Sequence, residues 1–237
     1  MPLKTIPVSA FAPRLSQEIT EQQIRTMGYN VLWRKAMVCP NRIETKYNHD
    51  LNCTVCDGTG FLYESDDEAT TTIALITSIS MHQEFMSMGR FDAGMARVTF
   101  LPCDKLSWWD KIEMLDSTVR YTEVIVRTDE VTDKFKYKVL SVSKVVDAAG
   151  TAYTEVTDFT INDTTGELEW ITGQGPAEDV YYSVIYECRP IYIVLDMLHH
   201  VRDSNVLKGT GTAERAQFPI QAVCKLDFLI GDESKTT

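Results

Sequence analysis

The sequence predicts a mainly β protein, an antiparallel β-barrel or sandwich with a short N-terminal helix and a small cysteine-bearing hairpin module. Apolar residues recur at every second position in several segments, as in strands that bury one face. Glycine-containing turns separate these segments at hairpin spacing, and helical periodicity is nearly absent after residue 70. Short alternating segments joined by tight turns are typical of an antiparallel architecture.

The composition restricts the functional classes. The formal net charge is −11, whereas a general binder of DNA or anionic membranes needs clustered lysine and arginine. No apolar run approaches the roughly 20 residues that cross a bilayer, and the N-terminus lacks the basic and apolar segments of a secretion signal. We therefore expect no membrane partner and synthesis in the cytoplasm.

The chain divides into three predicted parts. Residues 1–15 contain three prolines, which favour an extended arm. Residues 16–68 hold a short helix and the cysteine module, and residues 69–237 form the antiparallel β domain, with a Gly/Thr-rich loop at 208–217. Thr20 with Gln23 predicts a capping box and Gly28 predicts a helix end, which places the helix at 20–27.

Strand patterns follow the helix directly. One face of the first strand would carry alternate residues, namely Tyr29, Val31, Trp33, Lys35 and Met37. The clearest pattern occupies residues 134–139, where lysine alternates with large apolar residues without exception. Further strands are predicted at 95–101, 180–186, 191–195 and 222–230.

The segment Cys53-x-x-Cys56-x-Gly-x-Gly has the form of a zinc knuckle, in which two thiolates chelate one ion and the glycines permit a tight turn. Cys39 lies upstream and could supply a third sulfur. Asn41 stands where a fourth cysteine is expected, and His49 is the nearest substitute. The predicted ligands of a structural zinc ion are therefore Cys39, Cys53, Cys56 and His49. The alternative is a reduced knuckle that hydrogen bonds alone hold together.

The remaining candidate motifs favour no catalysis. His199 and His200 are adjacent, so on a strand they point to opposite faces and cannot act as a pair. Trp108 and Trp109 could form a ligand-stacking platform, but core packing or a protein contact is the favoured interpretation. Residues 209–212 lack the Gly-Lys-Ser/Thr ending of a phosphate loop. Three further cysteines are predicted to be small buried hydrophobes: Cys103, Cys188 and Cys224. We expect neither enzymatic activity nor an organic cofactor.

Several motifs, taken in order, support a family resemblance. Trp33-Arg-Lys-Ala, Cys39-Pro, the knuckle and Phe61-Leu-Tyr resemble the N-terminal part of virion neck proteins of tailed phages. The β portion of the same group is similar to the segments at 106–112, 158–161, 166–170, 181–186, 189–192 and 196–202. The resemblance covers roughly residues 25–203, and its visible departure is Asn41, where the family pattern has the second cysteine of Cys-Pro-Cys.

The resemblance implies a structural virion protein that forms a ring in the neck, joins the portal and head to the tail, and lines the DNA passage. Its partners would be further copies of itself, the portal protein and other neck or tail proteins. DNA would pass without sequence-specific binding, and assembly would take place in the host cytoplasm. A channel with a negative wall would repel phosphate weakly and so keep the DNA from sticking. We expect the acidic stretch at 64–68 to be exposed.

Two other functions remain open at this point. A tail terminator, tail-tube or baseplate protein is also acidic, β-rich and ring-forming, and contact with the portal would distinguish the neck protein from these. A zinc-knuckle module that grips a peptide or nucleic acid belongs to a different class. The knuckle segment is poor in basic residues, with only Arg42 and Lys46 between Cys39 and Cys56, which disfavours nucleic acid.

Overall fold

The computed structural model describes residues 17–41, 53–56, 58–78, 94–128, 132–198, 203–207 and 213–230. The predicted mainly β class is confirmed, because the chain forms a closed six-stranded antiparallel barrel preceded by one helix. A second β unit is inserted between two strands of the barrel. The arm predicted at 1–15 lies outside the described residues.

The barrel draws its strands from distant parts of the sequence. Around the barrel they are β1 (Tyr29–Arg34), β4 (Thr70–Ser78), β5 (Met95–Phe100), β17 (Ile220–Leu226), β14 (Ile191–Met197) and β6 (Lys111–Met114). Every neighbouring pair is antiparallel. Strand β1 pairs with both β4 and β6, so the chain before residue 69 supplies a strand to the same barrel as the chain after it.

The alternation of apolar residues explains the barrel interior. Val31 and Trp33 of β1 point inward, and the predicted strand at 95–101 is β5, whose Val98 and Phe100 are also buried. In β4 the inward face carries Ala74 and Ile76, the less apolar of its two faces. The remaining members of the barrel core are Leu106, Ile112, Met114, Val194, Met197, Ile220, Ala222 and Cys224.

Helix α1 (Gln17–Met27) covers the outside of the barrel at β4, which is why β4 is apolar on both faces. Ile24 of the helix is buried, and the side chain of Ile73 lies against Gly28. The predicted capping box is wrong, because Thr20 lies inside the helix, which begins at Gln17. The predicted end is confirmed, since the Gly28 N–H donates to the Ile24 carbonyl at 2.8 Å.

The inserted unit contains two sheets. The first has the order β10 (Ala152–Tyr153), β9 (Ser141–Asp147), β13 (Tyr181–Cys188), β7 (Val119–Val126), and the second has the order β11 (Phe159–Ile161), β12 (Leu168–Trp170), β8 (Thr132–Asp133). The predicted strand at 180–186 is confirmed: Tyr182, Val184 and Tyr186 are fully buried on one face of β13. Glycines at 150, 166, 173 and 175 occupy the left-handed turns between strands.

Residues 134–139 are not a strand, which corrects the clearest sequence pattern. Burial alternates as predicted, with Tyr137 and Val139 buried and the lysines exposed. The backbone, however, does not pair in a ladder, because the Lys136 N–H donates to the Glu123 carboxylate at 3.2 Å. The alternation of lysine and apolar residues therefore correctly predicted which side chains are exposed and which are buried. It did not predict a strand, because the Lys136 N–H binds a side chain and not a neighbouring strand.

The C-terminal region differs from its prediction in two places. The predicted loop at 208–217 is shorter, because Ala213–Gln217 is a strand (β16) that pairs with β15 (Asp203–Leu207). The last barrel strand, predicted at 222–230, ends at Leu226 and a 3₁₀ turn at Asp227–Leu229 follows. The strand predicted at 191–195 is confirmed as β14.

A buried carboxylate organises the core of the inserted unit. Asp133 is 2% exposed, and its Oδ2 accepts hydrogen bonds from the Trp170 indole and the Tyr182 hydroxyl, both at 2.7 Å. Its charge is paired with Arg127, whose Nη1 lies 3.3 Å from Oδ2. Two rings and one cation thus converge on a single side chain, which ties β8, β12 and β13 together.

We expect Asp133→Asn to destabilise the protein by about 3 kcal/mol. The asparagine side chain has only one oxygen that can accept hydrogen bonds, whereas the carboxylate has two. Arg127 also loses the negative charge that pairs with it. The measurement is the free energy of unfolding in urea. Asp163→Asn, at an exposed turn, is the matched control and should change that free energy by less than about 0.5 kcal/mol. Equal stability of the two variants would contradict the role assigned to Asp133.

Candidate metal centre

Two short strands bring the cysteines together. Strand β2 (Ala36–Val38) continues from β1 after a break at Lys35 and pairs with β3 (Phe61–Tyr63). The predicted single strand through Met37 is therefore two strands, one in the barrel and one in the hairpin. Cys39 directly follows β2, and its N–H donates to the Gly60 carbonyl at 3.0 Å, which extends the hairpin toward the knuckle.

The knuckle turn requires its glycines, as predicted. Gly58 and Gly60 both have left-handed backbone angles, with φ of 76° and 78°. The Gly58 N–H donates to the Cys53 carbonyl at 3.3 Å, and the Thr59 hydroxyl donates to the Cys56 carbonyl at 2.7 Å. These bonds close the turn so that both sulfurs face the same side as Cys39.

The three thiols form one buried cluster. The Sγ atoms of Cys39, Cys53 and Cys56 all lie within 4.8 Å of one another, and those of Cys39 and Cys53 are 3.9 Å apart. Thiolates around a tetrahedral zinc ion lie roughly 3.8 Å apart, given Zn–S bonds of about 2.3 Å. The three predicted cysteine ligands are thus placed to hold one metal ion. The fourth predicted ligand, His49, lies outside the described residues.

Hydrogen bonds favour the thiolate form of Cys53. The Asn41 side-chain amide donates to Cys53 Sγ at 3.6 Å, and with nearby backbone N–H groups it lowers the pKa of Cys53 to about 6. The Gly60 N–H donates to Cys56 Sγ at 3.3 Å, whereas burial raises the pKa of Cys39. Since the thiolate is the metal-binding form, Asn41 supports the cluster as a donor to sulfur, a role that its position alone did not indicate.

A second buried carboxylate attaches the hairpin to the barrel. Asp110 is 1% exposed and accepts three hydrogen bonds, each 2.8 Å long, from the Trp33 indole, the Ala36 N–H and the Ser107 N–H. Burial raises the pKa of Asp110, so these donors only partly offset its desolvation. Nothing in the local sequence singled out this residue, because two of its three donors, Trp33 and Ala36, lie more than 70 residues earlier in the chain.

The tryptophan pair lies on the surface beside the cysteine hairpin. Trp109 stacks on Phe61, with ring centroids 4.8 Å apart and an angle of 22° between the planes. Its backbone is left-handed, at φ of 70°, and its N–H donates to the Val194 carbonyl at 2.8 Å. Trp108 and Trp109 are both exposed, so they do not fill the core. The alternative of a protein contact stays a prediction.

The remaining predicted residues have mixed outcomes. Cys188 and Cys224 are buried as expected, but Cys103 is exposed, so that prediction was wrong. His199, His200 and residues 209–212 lie outside the described residues. In the described part of the chain, the three-cysteine cluster is the only group of three or more potential metal ligands. Across those same residues, no helix has the length and apolar character needed to cross a membrane.

We expect Asp110→Asn to loosen the hairpin and to lower the free energy of unfolding by about 2 to 3 kcal/mol. In the asparagine, an NH₂ group replaces one carboxylate oxygen, so at least one of the three buried N–H donors loses its acceptor. The measurements are urea unfolding and the alkylation rate of Cys39, which should rise as the hairpin opens. Asp67→Asn, an exposed change in the same region, should alter neither quantity. Unchanged alkylation in Asp110→Asn would show that the carboxylate does not hold the hairpin.

No protein-family model matches this sequence, and no curated protein matches it. The resemblance to phage neck proteins therefore stays a prediction from the sequence motifs.

Proposed function

We propose that this protein is a structural assembly protein that forms a ring in the neck of a tailed-phage virion, between the portal and the tail. The observation that carries the proposal is a pair of separate exposed apolar surfaces, one on the cysteine hairpin and one on the inserted unit. A ring subunit needs two different surfaces, because each copy contacts one neighbour on each side.

The first surface belongs to the hairpin and the loop stacked on it. Met37 and Val38 of β2 are 63% and 56% exposed, although a two-residue apolar run in a strand normally buries at least one side chain. Val55, between the two knuckle cysteines, and the tryptophan pair are exposed as well. Exposed aromatic residues and methionine are enriched where proteins contact one another. Met37 and Val38 are adjacent in β2, so they lie on opposite faces of the hairpin. We call these five residues, which belong to both faces of the hairpin and to the loop beside it, the hairpin surface.

The second surface lies on the outer face of β7 and β13. Val124 and Tyr181 are 64% and 60% exposed, and the antiparallel register places both on the face opposite the buried Tyr182. In the described residues β7 pairs only with β13, so its other edge is available for a neighbouring chain. An edge with apolar side chains beside it favours association with a second copy.

The charge distribution agrees with a role around passing DNA. The chain carries a net charge of −11, and Asp66, Asp67 and Glu68 are exposed as predicted, while Glu64 is half-buried and pairs with Lys35 at 3.1 Å. An acidic channel wall would let a polyanion slide without sticking. In this proposal DNA is a passing cargo and is not recognised by its sequence.

The metal of the cysteine cluster is, in this proposal, a structural zinc ion. Cys39, Cys53 and Cys56 supply three thiolates, and His49, in the segment between Asn41 and Cys53, supplies the fourth ligand. The core of the hairpin consists of these cysteines and Leu62, which is too small to hold a stable fold by apolar packing. Zinc would provide the missing cross-link and keep the hairpin surface rigid.

We expect the purified chain to contain about one zinc ion per molecule. Cys53→Ser should lose most of that zinc, and removing the metal from the native protein with a chelator should lower its unfolding temperature by roughly 5 °C. Elemental analysis and a thermal scan are the measurements. Cys103→Ser, which removes an exposed thiol outside the cluster, should keep its zinc. Metal-free native protein of unchanged stability would exclude the zinc assignment and leave a reduced knuckle.

We expect the native chain to form closed rings at micromolar concentration, visible by mass photometry and negative-stain electron microscopy. Met37→Glu and Val124→Glu each place a charge on one of the two surfaces and should weaken association about tenfold or more. Ile19→Glu changes a residue that is 67% exposed on helix α1, outside both surfaces, and should leave the rings intact.

The location in the particle is tested separately. A reconstruction of the parent virion should show the ring in contact with the portal, and contact with the tail tip or tube alone would replace the neck by a tail role. A chain that stays monomeric and is absent from virions would overturn the proposal as a whole. Rings that dissociate equally in all three variants would reject the two surfaces as the contacts.

A further inference from the structure

A cavity lies between the outer wall of the barrel and the inserted unit, and none of the three clustered cysteines lines it. Its volume is about 310 Å³, the lower end of the range for small-molecule sites. The barrel contributes Arg34, Lys111 and Glu113, and the segment before β9 contributes Lys136 and Lys138. Tyr63, Asp66, Tyr137 and Arg189 are also among the lining residues.

The cavity is cationic in a strongly acidic protein. Five of its lining side chains are basic and two are carboxylates, although the chain as a whole has a net charge of −11. Like charges placed together cost energy unless something neutralises them. Some of these cations form ion pairs with the carboxylates of the cavity and others do not.

The two arginines are neutralised internally. Arg34 Nη2 lies 2.7 Å from both Asp66 and Glu113, and Arg189 Nη1 lies 3.4 Å from Glu113. Both carboxylates of the cavity are used by these ion pairs. Lys138 donates to the Thr164 carbonyl at 2.7 Å, which orients its ammonium but does not neutralise its charge.

Lys111 and Lys136 have no carboxylate partner among the described residues. Lys111 of β6 stands directly opposite Arg34 of β1, a like-charge cross-strand pair that destabilises a sheet. Its Nζ lies 4.1 Å from the centre of the Tyr63 ring, and that of Lys136 lies 5.3 Å from the centre of the Tyr137 ring. Burial lowers the pKa of Lys111, and the nearby Arg34 and Lys136 lower it further, while Asp227 opposes them.

We propose that this cavity binds a phosphate group, either as inorganic phosphate or as the monoester of a small molecule, with Lys111 and Lys136 as its ligands. Two ammonium groups without a carboxylate partner in one cavity match a compact dianion better than a singly charged carboxylate. The two tyrosine rings and the apolar wall of the cavity leave room for the ester part of a small phosphorylated molecule. Among the described residues, neither the three cysteines nor the members of the two exposed apolar surfaces line this site.

Isothermal titration calorimetry of the full chain tests the site at constant ionic strength, with sodium chloride replacing each ligand in the blank. The probes are inorganic phosphate, a nucleoside monophosphate and acetate. We expect both phosphates to bind and acetate to bind at least tenfold more weakly. Whichever of the two binds with the lower dissociation constant indicates whether the ligand is free phosphate or a phosphate monoester. Equal binding of acetate would overturn phosphate as the ligand.

Variants separate the site from general charge attraction. Lys111→Met and Lys136→Met should each weaken phosphate binding about tenfold, because each removes a cation that lacks a carboxylate partner. Lys111→Arg should retain most of the binding. Lys144→Met removes an exposed lysine from the outer face of β9 and should leave binding unchanged. An equal loss in Lys144→Met, or none in the two cavity variants, would overturn the proposal.

The thermal unfolding temperature gives a second readout that a merely structural lysine would not produce. Phosphate should raise this temperature in the native protein and raise it clearly less in both Lys111→Met and Lys136→Met. Without phosphate, Lys111→Met should be as stable as the native protein or more so, because it removes an unpaired cation. A large loss of stability in phosphate-free buffer would assign Lys111 a structural role and contradict the binding site.

Discussion

The buried carboxylate of Asp110 is the constraint on which the functional region depends. It accepts hydrogen bonds from Trp33 of β1, from the first residue of β2 and from Ser107 in the loop before β6, so it joins residues 33–36 to its own loop more than 70 residues later in the chain. A buried carboxylate is tolerable only when its oxygens are satisfied, so these segments must meet at one point. Its chain neighbours are positioned by the same anchor: Trp109 stacks on the hairpin, and Lys111 faces the cationic cavity.

The inserted unit repeats this device with a different carboxylate. Asp133 accepts a hydrogen bond from the Trp170 indole, just as Asp110 accepts one from the Trp33 indole. These two aspartates are the only buried charged residues in the described part of the chain. Each half of the molecule therefore has an apolar core with a single polar centre that specifies how its strands meet. The cavity lies at the junction of the halves, where the outer wall of the barrel is charged.

The cysteine hairpin combines a weak apolar core with a large exposed surface. Its buried residues are three cysteines packed with Leu62, while Met37, Val38 and Val55 face outward. A module of this kind can be held by a metal, by Asp110 and by the Phe61–Trp109 stack, which leaves its apolar side chains free for a partner. That division between internal cross-links and external contacts suits an assembly element, whose surface must be rigid before its neighbour arrives.

The sequence by itself determined the β class, the end of the helix at Gly28 and the three cysteines of the cluster. Each of these depends on local chemistry: alternation, a left-handed glycine, or the spacing of two thiols in one turn. Only the tertiary structure decided that residues 134–139 are not a strand, that Cys103 is exposed and that Asn41 donates to Cys53. It also decided the roles of Asp110 and Lys111. Those features depend on partners distant in the chain, and the periodicity of a segment carries no information about what packs against it.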